Sequence, residues 1–538
     1  MASSRIKSIA VIFILIINFS CEGNSKQQNQ ANKDSVSSNI NSQTSKINQL
    51  QRPPFDSTSI VSFIEQYPQL SPLQKVLDSF YHKRNYAFAW FNTNGIKFEA
   101  ENLYNHVVNI TSEGLRDNMP YKTEFRDLMK NYAADSLHNE PVFKELMLTA
   151  QYFIYAKNVW TGLDKKETKT MKWYLPRDKL LYGQLLDSLT NGKNILDSAP
   201  VYRQYALLKT YLKKYEDIVN NNDFPFIKSG KKVYVKGDTS ATIIAIRKWL
   251  FIAGDLPTNN NSNVFDDSLA AAVKAFRLRI GAKNNYTITA SIIHEMNVPI
   301  RARIQQIKVN MERSRWIPVN TATNYAVINI PEYKLHVYEN NNLLWSMNVV
   351  VGKPAHETVI FSGNIQYVVF SPYWNVPSSI LRKEVLPGIK KNPNYLAKNN
   401  MEWQGNRVRQ KPGPDNSLGL VKFLFPNSYN IYLHDTPAKS LFGESSRAFS
   451  HGCIRLAQAE KFADYLLRND VSWTPEKIDS AMHSGAEKYV TLKNPEPVFI
   501  AYFTSWVDRQ GRLNFRKDTY GRDNPLAKLL LTTKAYSF

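Results

Sequence analysis

The sequence is almost free of cysteine: Cys21 and Cys453 are the only two in 538 residues. It also lacks a long apolar run near its start, where residues 9–17 are apolar over about nine positions, whereas a membrane-spanning helix needs roughly 20. Arg5 and Lys7 precede this run, and basic residues followed by a short apolar stretch are typical of a secretory signal. The pattern therefore favours export over a transmembrane helix.

Ser20 and Cys21 directly follow the apolar run. A small residue before a cysteine at this point resembles a bacterial lipoprotein cleavage site, where the cysteine becomes the lipid-bearing N-terminus of the mature chain. The resemblance implies a signal peptide over residues 1–21, lipidation of Cys21 and a periplasmic, membrane-tethered lipoprotein of the cell envelope. An ordinary cleaved signal and a retained anchor are the alternatives.

Residues 22–54 are nearly free of aromatic side chains and rich in Ser, Asn, Gln and Lys. Such a stretch cannot bury enough apolar surface to offset its ordering entropy, so we expect a flexible tether. Acidic residues are scarce as well: 46 Asp and Glu oppose 68 Lys and Arg, which gives a formal net charge of +22. A basic protein attracts polyanions, and because the leader predicts export, we expect an anionic cell envelope rather than nucleic acid as the partner. A solvated basic surface without a partner is the alternative.

The remaining chain is too long for one hydrophobic core and predicts about two to four domains. Residues 55–232 show mainly helical periodicity, for example at the apolar positions of 202–219, and predict a scaffold domain. Residues 299–320 are interpreted as a linker that returns to this scaffold. Short strand candidates bounded by turn residues predict a β-rich domain over 321–495, followed by a C-terminal extension over 496–538.

Residues 233–298 show a compact pattern of three short helices separated by turns. Ser240 is placed to cap the first helix, and Asp266 precedes the run Ala-Ala-Val-Lys-Ala-Phe-Arg at 271–277. This order resembles the small three-helix peptidoglycan-binding domain, which implies contact with wall glycan. Arg277 stands where that family often has Gln, and a spacer without binding function is the alternative.

A basic stretch that contains Pro and Asn interrupts the strand pattern over residues 379–420. Long insertions in compact domains are usually functional or disordered. We interpret this insertion as a lid over the active site.

Cys453 has no second cysteine to pair with if Cys21 is lipidated or removed, although exported proteins meet oxidising conditions. A thiol with a pKa of about 8.5 is mostly protonated at neutral pH and becomes a nucleophile when a nearby imidazole takes its proton and holds a thiolate–imidazolium pair. His451 is only two positions away from the cysteine, whereas His434 ends a strand candidate and can face a neighbouring turn. We therefore assign His434 as general base and as general acid when the amine departs. An inert buried cysteine is the alternative.

The neighbours of the cysteine suggest roles of their own. Because Gly452 has no Cβ, the backbone N–H groups of Gly452 and Cys453 can approach a reacting carbonyl and form an oxyanion hole. Ser450 and His451 are predicted to shape the site through hydrogen bonds, and Arg455 to bind a substrate carboxylate, with an ion pair as the alternative for the arginine. No metal site or other cofactor is predicted, because the two histidines and the cysteine lack the paired short spacings of zinc ligands.

The run Ser-His-Gly-Cys-Ile-Arg at 450–455 begins 16 positions after His434. This signature resembles the active site of L,D-transpeptidases with a YkuD-like catalytic domain, whose common form ends in Asn where this chain has Arg455. The arginine, together with Tyr373 and Trp374, resembles the large YcbB-type branch. The resemblance implies a multidomain α+β fold, with a mainly helical scaffold, a three-helix peptidoglycan-binding domain and a β-sandwich catalytic domain carrying an inserted lid.

The resemblance also implies a chemistry. The Cys453 thiolate attacks the amide that links an L-residue to the terminal D-alanine of a tetrapeptide stem, and an amine of a second stem resolves the thioester into a 3→3 cross-link. The backbone carbonyl of Asp435 would orient His434, Tyr373 and Trp374 would contact substrate, and carbapenems would acylate the cysteine. We expect a monomer that binds stem peptides and glycan. An L,D-carboxypeptidase that passes the acyl group to water and an inactive wall-binding lipoprotein are the alternatives.

Overall fold

A computed structural model describes residues 53–130, 140–221, 224–319 and 322–532. The predicted signal peptide, Cys21 and all but the end of the predicted tether lie outside the described residues. None of the helices within the described ranges has the length and apolar character that a bilayer crossing requires.

The N-terminal part of the described chain is helical, as predicted for the scaffold. Its elements are α1 (Thr58–Gln66), α2 (Gln74–His82), β1 (Phe91–Asn92), β2 (Gly95–Ile96), α3 (Phe98–Val108), α4 (Lys122–Lys130), α5 (Glu140–Ala156), α6 (Lys165–Thr170), α7 (Tyr182–Thr190) and α8 (Gln204–Asn221). Apolar residues at helical spacing give α8 one buried face, where Leu208, Leu212 and Tyr215 join the scaffold core.

The next unit contains the three predicted helices. Its elements are β3 (Val233–Tyr234), α9 (Ala241–Ala253), α10 (Asp267–Arg279), β4 (Ile288–Thr289) and α11 (Ala290–Met296). Trp249 and Phe276 pack in a core of its own, with ring centroids 4.9 Å apart. Arg277, which stands where the peptidoglycan-binding family often has Gln, makes contacts within this unit. Its guanidinium donates to the carbonyls of Lys283 and Thr287 at 2.9 and 2.8 Å.

The predicted linker 299–320 is mostly a helix, α12 (Ile300–Arg315). Ile307 and Met311 are buried in the scaffold core. Arg315 donates from Nη2 to the backbone carbonyl of Glu113 at 2.6 Å, inside the scaffold. The predicted return to the scaffold is therefore a helix packed against the scaffold core.

One mixed sheet dominates the C-terminal half and confirms the predicted β-rich region. The strands of this half up to residue 501 are β5 (Tyr325–Asn329), β6 (Lys334–Glu339), β7 (Asn342–Gly352), β8 (Ser362–Phe370), β9 (Trp374–Asn375), β10 (Met401–Gln404), β11 (Arg407–Gln410), β12 (Val421–Leu424), β13 (Leu433–His434), β14 (Ala448–Ser450), β15 (Ile454–Leu456) and β16 (Lys488–Ala501). Nine of them follow the order β14-β7-β15-β13-β12-β8-β16-β5-β6, and a further β6–β7 pairing closes all of them except β14 into a ring. The sandwich implied by the resemblance thus takes the form of one continuous hydrogen-bonded sheet.

The predicted insertion 379–420 has its own secondary structure. It contains α13 (Ser378–Ile380) at its edge, α14 (Leu386–Lys391), α15 (Tyr395–Lys398) and the β10–β11 hairpin, which β9 extends to a three-stranded sheet. Apolar side chains of this segment form a small separate core; they are Val376, Ile380, Val385 and Val408.

The predicted boundary at residue 495 falls inside β16, which pairs with β8 on one side and β5 on the other. Pro495 lies within the register shift between Thr491 and Glu496, and the pairing with β8 continues beyond it. The remaining elements are α16 (Ala459–Leu467), α17 (Pro475–His483), β17 (Ser505–Val507), β18 (Leu513–Phe515) and α18 (Asp523–Thr532).

Candidate active site

The pairing of β13 with β15 brings the predicted base and nucleophile to one face of the sheet. The two strands run parallel, with Leu433 opposite Ile454 and His434 opposite Arg455. Paired residues share a face, and side chains alternate between faces along a strand. Cys453, two residues before Arg455, therefore lies on the same face as His434, diagonally across the strand pair.

His434 is buried and has a fixed orientation. Its Nδ1 lies 2.5 Å from the backbone carbonyl oxygen of Asp435, and since a carbonyl only accepts, Nδ1 carries the proton and Nε2 is the basic nitrogen. Burial lowers the pKa of His434 to about 4, and the positive charge of Arg455 adds to this shift. Hydrogen bonds to the backbone carbonyls of Asp435 and Leu418 act in the opposite direction. The imidazole is therefore neutral at physiological pH, as a general base must be.

Cys453 is a half-buried thiol whose Sγ lies 3.6 Å from the backbone carbonyl oxygen of Asn430. Burial raises the pKa of Cys453, although the backbone N–H and the hydroxyl of Tyr432 and the charge of Arg455 act in the opposite direction. The raised pKa of Cys453 and the lowered pKa of His434, which lies on the same face of the sheet, both favour a neutral thiol and a neutral imidazole over the thiolate–imidazolium pair considered from the sequence.

Two hydroxyl groups hold residues 450–453, the nucleophile loop. Ser450 Oγ accepts from the N–H of Gly452 at 3.2 Å and donates to the carbonyl of Cys453 at 2.5 Å. Thr358 Oγ1 donates to the carbonyl of Gly452 at 2.8 Å and accepts from the N–H of Gly352 at 2.9 Å. The loop is thus fixed from within and from the neighbouring segment.

The two predicted oxyanion donors, the N–H groups of Gly452 and Cys453, differ in their partners. The N–H of Gly452 is engaged by Ser450, whereas the N–H of Cys453 donates to no acceptor among the described residues. The glycine has a φ of +117°, a conformation that L side chains rarely adopt. Glycine therefore suits the backbone conformation at position 452, and of the two predicted donors only the N–H of Cys453 lacks an acceptor among the described residues.

Asp435 divides its functions between backbone and side chain. Its carbonyl orients the imidazole, as described above, while its carboxylate accepts from the N–H of Leu420 at 3.0 Å and pairs with Lys439. The carboxylate therefore anchors the end of the insertion and is not the group that bonds the histidine.

His451 connects the nucleophile loop to the insertion. Its Nε2 lies 3.1 Å from Oε1 of Glu384, and its ring centroid lies 5.3 Å from that of His356. Burial lowers the pKa of His451, Glu384 opposes this shift, and the charges of Lys353 and His356 reinforce it. His451 is thus the contact between the nucleophile loop and Glu384 of the insertion.

Tyr432 is a site residue that the sequence reasoning missed. Its ring centroid lies 5.6 Å from that of His434. Burial raises the pKa of Tyr432, the charge of Cys453 and a hydrogen bond to it add to the shift, and a hydrogen bond from Trp374 opposes it. Strand alternation was the available signal, because Tyr432 precedes His434 by two positions. Trp374 reaches the site through Tyr432, whereas the ring of Tyr373 lies 4.0 Å from the Arg409 guanidinium.

The fold and the site define a class of protein. A β-rich domain presents a thiol and a neutral imidazole on one sheet face, an arrangement suited to acyl transfer through a thioester. Within the described ranges, no group of three or more His, Cys, Asp or Glu side chains is placed to hold a metal ion.

Comparison with protein families identifies the domains. Residues 323–479 match the L,D-transpeptidase catalytic domain, YkuD, and residues 75–212 match the scaffold domain. The chain therefore contains an L,D-transpeptidase catalytic domain joined to a scaffold domain, which confirms the resemblance carried by the cysteine signature. The YkuD domain is that of a family of enzymes that cross-link peptidoglycan.

Known relatives cover part of the chain. A Haemophilus influenzae protein that carries the provisional name L,D-transpeptidase is 31% identical over 302 residues, which is 52% of this chain and 58% of the relative. A solved L,D-transpeptidase from Stackebrandtia nassauensis is 13% identical, with 51% of this chain and 97% of that chain covered at a TM-score of 0.22. An L,D-transpeptidase solved in complex with imipenem is 16% identical, with 33% and 59% covered at a TM-score of 0.19.

Proposed function

We propose that this protein is a peptidoglycan L,D-transpeptidase that forms 3→3 cross-links between stem peptides. The observation that carries the proposal is the placement of Cys453 and a neutral, carbonyl-oriented His434 on one face of the sheet, inside a matched L,D-transpeptidase domain. The substrate is a tetrapeptide stem with a terminal D-alanine.

The first half-reaction forms a thioester. Nε2 of His434 takes the thiol proton as Sγ of Cys453 attacks the carbonyl carbon of the scissile amide, and the N–H of Cys453 donates to the developing oxyanion. The imidazolium then gives this proton to the amide nitrogen, the C–N bond breaks, and free D-alanine leaves. The low pKa of His434 makes its protonated form a strong acid for this step.

The second half-reaction forms the cross-link. An amine of a second stem attacks the thioester carbon, His434 takes a proton from that amine, and the C–S bond breaks. The thiolate recovers the proton, so thiol and imidazole return to their starting forms. Water in place of the amine would give the L,D-carboxypeptidase reaction, and the insertion 379–420, as a lid, would control which acceptor enters.

The other predicted residues have supporting roles in this proposal. Ser450 and Gly452 shape the nucleophile loop, His451 couples it to the lid, and Trp374 positions Tyr432 beside the thiol. Tyr373 packs at the base of the lid and supports substrate binding indirectly. The 233–298 unit would contact glycan, and lipidation of Cys21 would tether a monomer to a membrane of the envelope.

Analysis of the products formed from purified muropeptides tests the proposal. The wild-type protein should convert tetrapeptide donors into 3→3 dimers, and Cys453→Ala should abolish dimers while keeping the folded state, as judged by thermal unfolding. Loss of D-alanine without dimers would overturn transpeptidation. Full activity of Cys453→Ala would overturn the catalytic assignment.

A carbapenem provides a second test of the nucleophile. Its strained amide is an acyl donor for the same thiol, so mass spectrometry should find one covalent adduct on the Cys453 peptide. The adduct should be absent from Cys453→Ala, and an adduct located elsewhere would contradict the proposed nucleophile.

A further inference from the structure

Two cations flank His434 on the catalytic face of the sheet. Lys422 of β12 lies directly opposite His434 on one side, and Arg455 of β15 lies directly opposite it on the other. Because directly paired residues share a face, the lysine, the histidine and the arginine form one row across three strands. The two cations differ in what surrounds them.

The charge of Lys422 is neutralised inside the protein. Its side chain is buried, and Nζ lies 3.2 Å from Oε1 of Glu487 and 3.4 Å from the backbone carbonyl oxygen of Tyr373. An ion pair of this kind leaves little net charge for a ligand.

Arg455 has no such partner. Its guanidinium takes part in none of the hydrogen bonds or ion pairs between described residues, and its Nε is buried with no acceptor. A half-buried cation without a counter-ion is costly unless an anion pairs with it when the site is occupied. The position of this cation, two residues from Cys453 on the same face, places the expected anion beside the reacting sulfur.

We propose that Arg455 binds the C-terminal carboxylate of the leaving residue and thereby selects donors that end one residue after the scissile bond. This inference rests on the proposed transpeptidase function. The carboxylate of the leaving residue is two bonds from the scissile nitrogen, so it stays beside the thiol whenever the scissile carbonyl reaches Sγ. A longer donor carries its carboxylate one residue farther away and places an uncharged amide against the arginine.

The chemistry of arginine fits this group. A guanidinium offers parallel N–H donors that match a planar carboxylate, and such bidentate pairs are stronger than neutral hydrogen bonds. Cys453 and Arg455 are two residues apart, and such residues on a strand are separated by about 6.6 Å. The leaving residue, from its amide nitrogen to its carboxylate, and one hydrogen bond to the guanidinium can fill this distance. Departure of the leaving residue would then remove the anion and free the site for the acceptor.

Alkylation of the thiol tests the anion site without any peptidoglycan substrate. Iodoacetate and iodoacetamide react with Cys453 by the same displacement, but only iodoacetate is an anion, so the ratio of their rates reports a cation at the sulfur. In the full chain, with the Cys453 peptide quantified by mass spectrometry, Arg455→Gln should lower the iodoacetate-to-iodoacetamide ratio about five- to tenfold. Arg455→Lys should give an intermediate ratio.

Lys422→Gln is the matched control, because this cation also lies opposite His434 but already has a counter-ion. Its ratio should stay within about twofold of wild type. An unchanged ratio in Arg455→Gln would overturn the anion site, as would an equal fall in Lys422→Gln. If Arg455→Gln slows the reactions with iodoacetate and iodoacetamide equally, their ratio is unchanged, and this result also contradicts the inference.

Donor selectivity tests the identity of the anion. Thioester formation should be fastest with a tetrapeptide that has a free terminal carboxylate, and about tenfold or more slower with its C-terminal amide or with a pentapeptide. Arg455→Gln should remove most of this preference. A second peptide carries its amide on the side-chain carboxylate of the third residue instead of on the C-terminus. If this peptide slows thioester formation more than the C-terminal amide does, the assignment of the C-terminal carboxylate is wrong, while the proposed function stands. The same holds if Arg455→Gln keeps the preference for the free C-terminal carboxylate. If no stem peptide acylates wild-type Cys453, the proposed function fails, and the alkylation ratio still decides the anion site.

Discussion

The nucleophile loop and the outer part of the insertion (378–398) are held in opposite ways. Ser450 and Thr358, which fix the loop, have exposed fractions of 2% and 0%. The insertion has only a small core of its own and meets the loop through His451 and Glu384, whose side chains are 37% and 53% exposed. Buried hydrogen bonds tolerate little movement, whereas an exposed ion pair is weak and easily exchanged for water.

The rigid nucleophile loop and the weakly held insertion match two different requirements of acyl transfer. The groups that act on the scissile carbonyl need a fixed geometry before the substrate arrives. A lid, the role proposed for the insertion, has to open and close, and such segments are drawn from the less stable parts of a fold. Substitutions and pH changes can therefore disturb either the fixed side, which is the nucleophile loop with His434, or the adjustable side, which is the insertion segment 378–398.

The largest expected effect is the pH dependence of the fixed side. Because burial raises the pKa of Cys453 and lowers that of His434, the rate of Cys453 alkylation by iodoacetamide should rise about tenfold per pH unit from about pH 6 to pH 8. A rate plateau that begins near about pH 5 would indicate a thiolate–imidazolium pair and contradict the neutral resting site. Tyr432→Phe should slow alkylation at neutral pH, since it removes a hydroxyl that lowers the pKa of the thiol.

Acid should destabilise the protein through His434. A folded-state pKa of about 4 lies below the unfolded value of about 6.5, so the contribution to stability is present above pH 6.5 and is lost as the pH falls towards 4. The expected loss is about 3 kcal/mol in the free energy of unfolding. Urea unfolding at several pH values should show a smaller acid dependence for His434→Gln than for wild type, and equal dependences would refute the buried neutral histidine.

Removal of the Thr358 hydroxyl should loosen the nucleophile loop. Thr358→Val leaves the carbonyl of Gly452 and the N–H of Gly352 without their partner and should cost about 1–3 kcal/mol in the free energy of unfolding. In the Thr358→Val background, Tyr432→Phe should no longer slow the alkylation of Cys453, because the thiol has left its fixed position. Thr358→Ser keeps the hydroxyl and should restore both properties; equal behaviour of the valine and serine variants would show that the hydroxyl has no such function.

The smallest effect is expected on the adjustable side. Glu384→Gln removes one partner of an exposed pair and should change the free energy of unfolding by at most about 1 kcal/mol. Hydrogen–deuterium exchange of residues 381–398 should nevertheless become faster, while exchange of the nucleophile loop stays unchanged. Glu402→Gln, which breaks a pair with Arg409 inside the insertion, is the control that should not affect exchange at the loop. Faster exchange in the loop as well would show that the two regions are not independent.

The sequence predicted the local features of this molecule well. Helical periodicity over 202–219 predicted the helix Gln204–Asn221 to within two residues, and the signature around Cys453 named both groups that the sheet brings to one face. The roles of His434 as base and Asp435 as its orienting carbonyl remain predictions that the geometry supports. The return to the scaffold at 299–320 was predicted without its helix, Ile300–Arg315, because the charged and amide side chains of that helix are buried by partners elsewhere in the chain.

The remaining site groups lie beyond what local patterns can reveal. Thr358 has no motif around it, and its function follows from the position of the segment after β7 beneath the nucleophile loop. The contrast between Lys422 and Arg455 depends on strand order and on Glu487, which belongs to a different segment. Contacts set by sheet register and distant packing require the structure, because no single window of sequence contains both partners.

The hydroxyl of Tyr520 donates to the carbonyl of Gly352 at 2.7 Å and accepts from the N–H of Thr358 at 3.2 Å, so it braces the segment that supports the nucleophile loop. Chains are synthesised from the N-terminus, and Cys453 therefore emerges before Tyr520, which steadies its surroundings. A chain halted between the two would expose a reactive sulfur without a finished pocket. The bracing of the nucleophile loop thus depends on a residue that is added to the chain well after the cysteine.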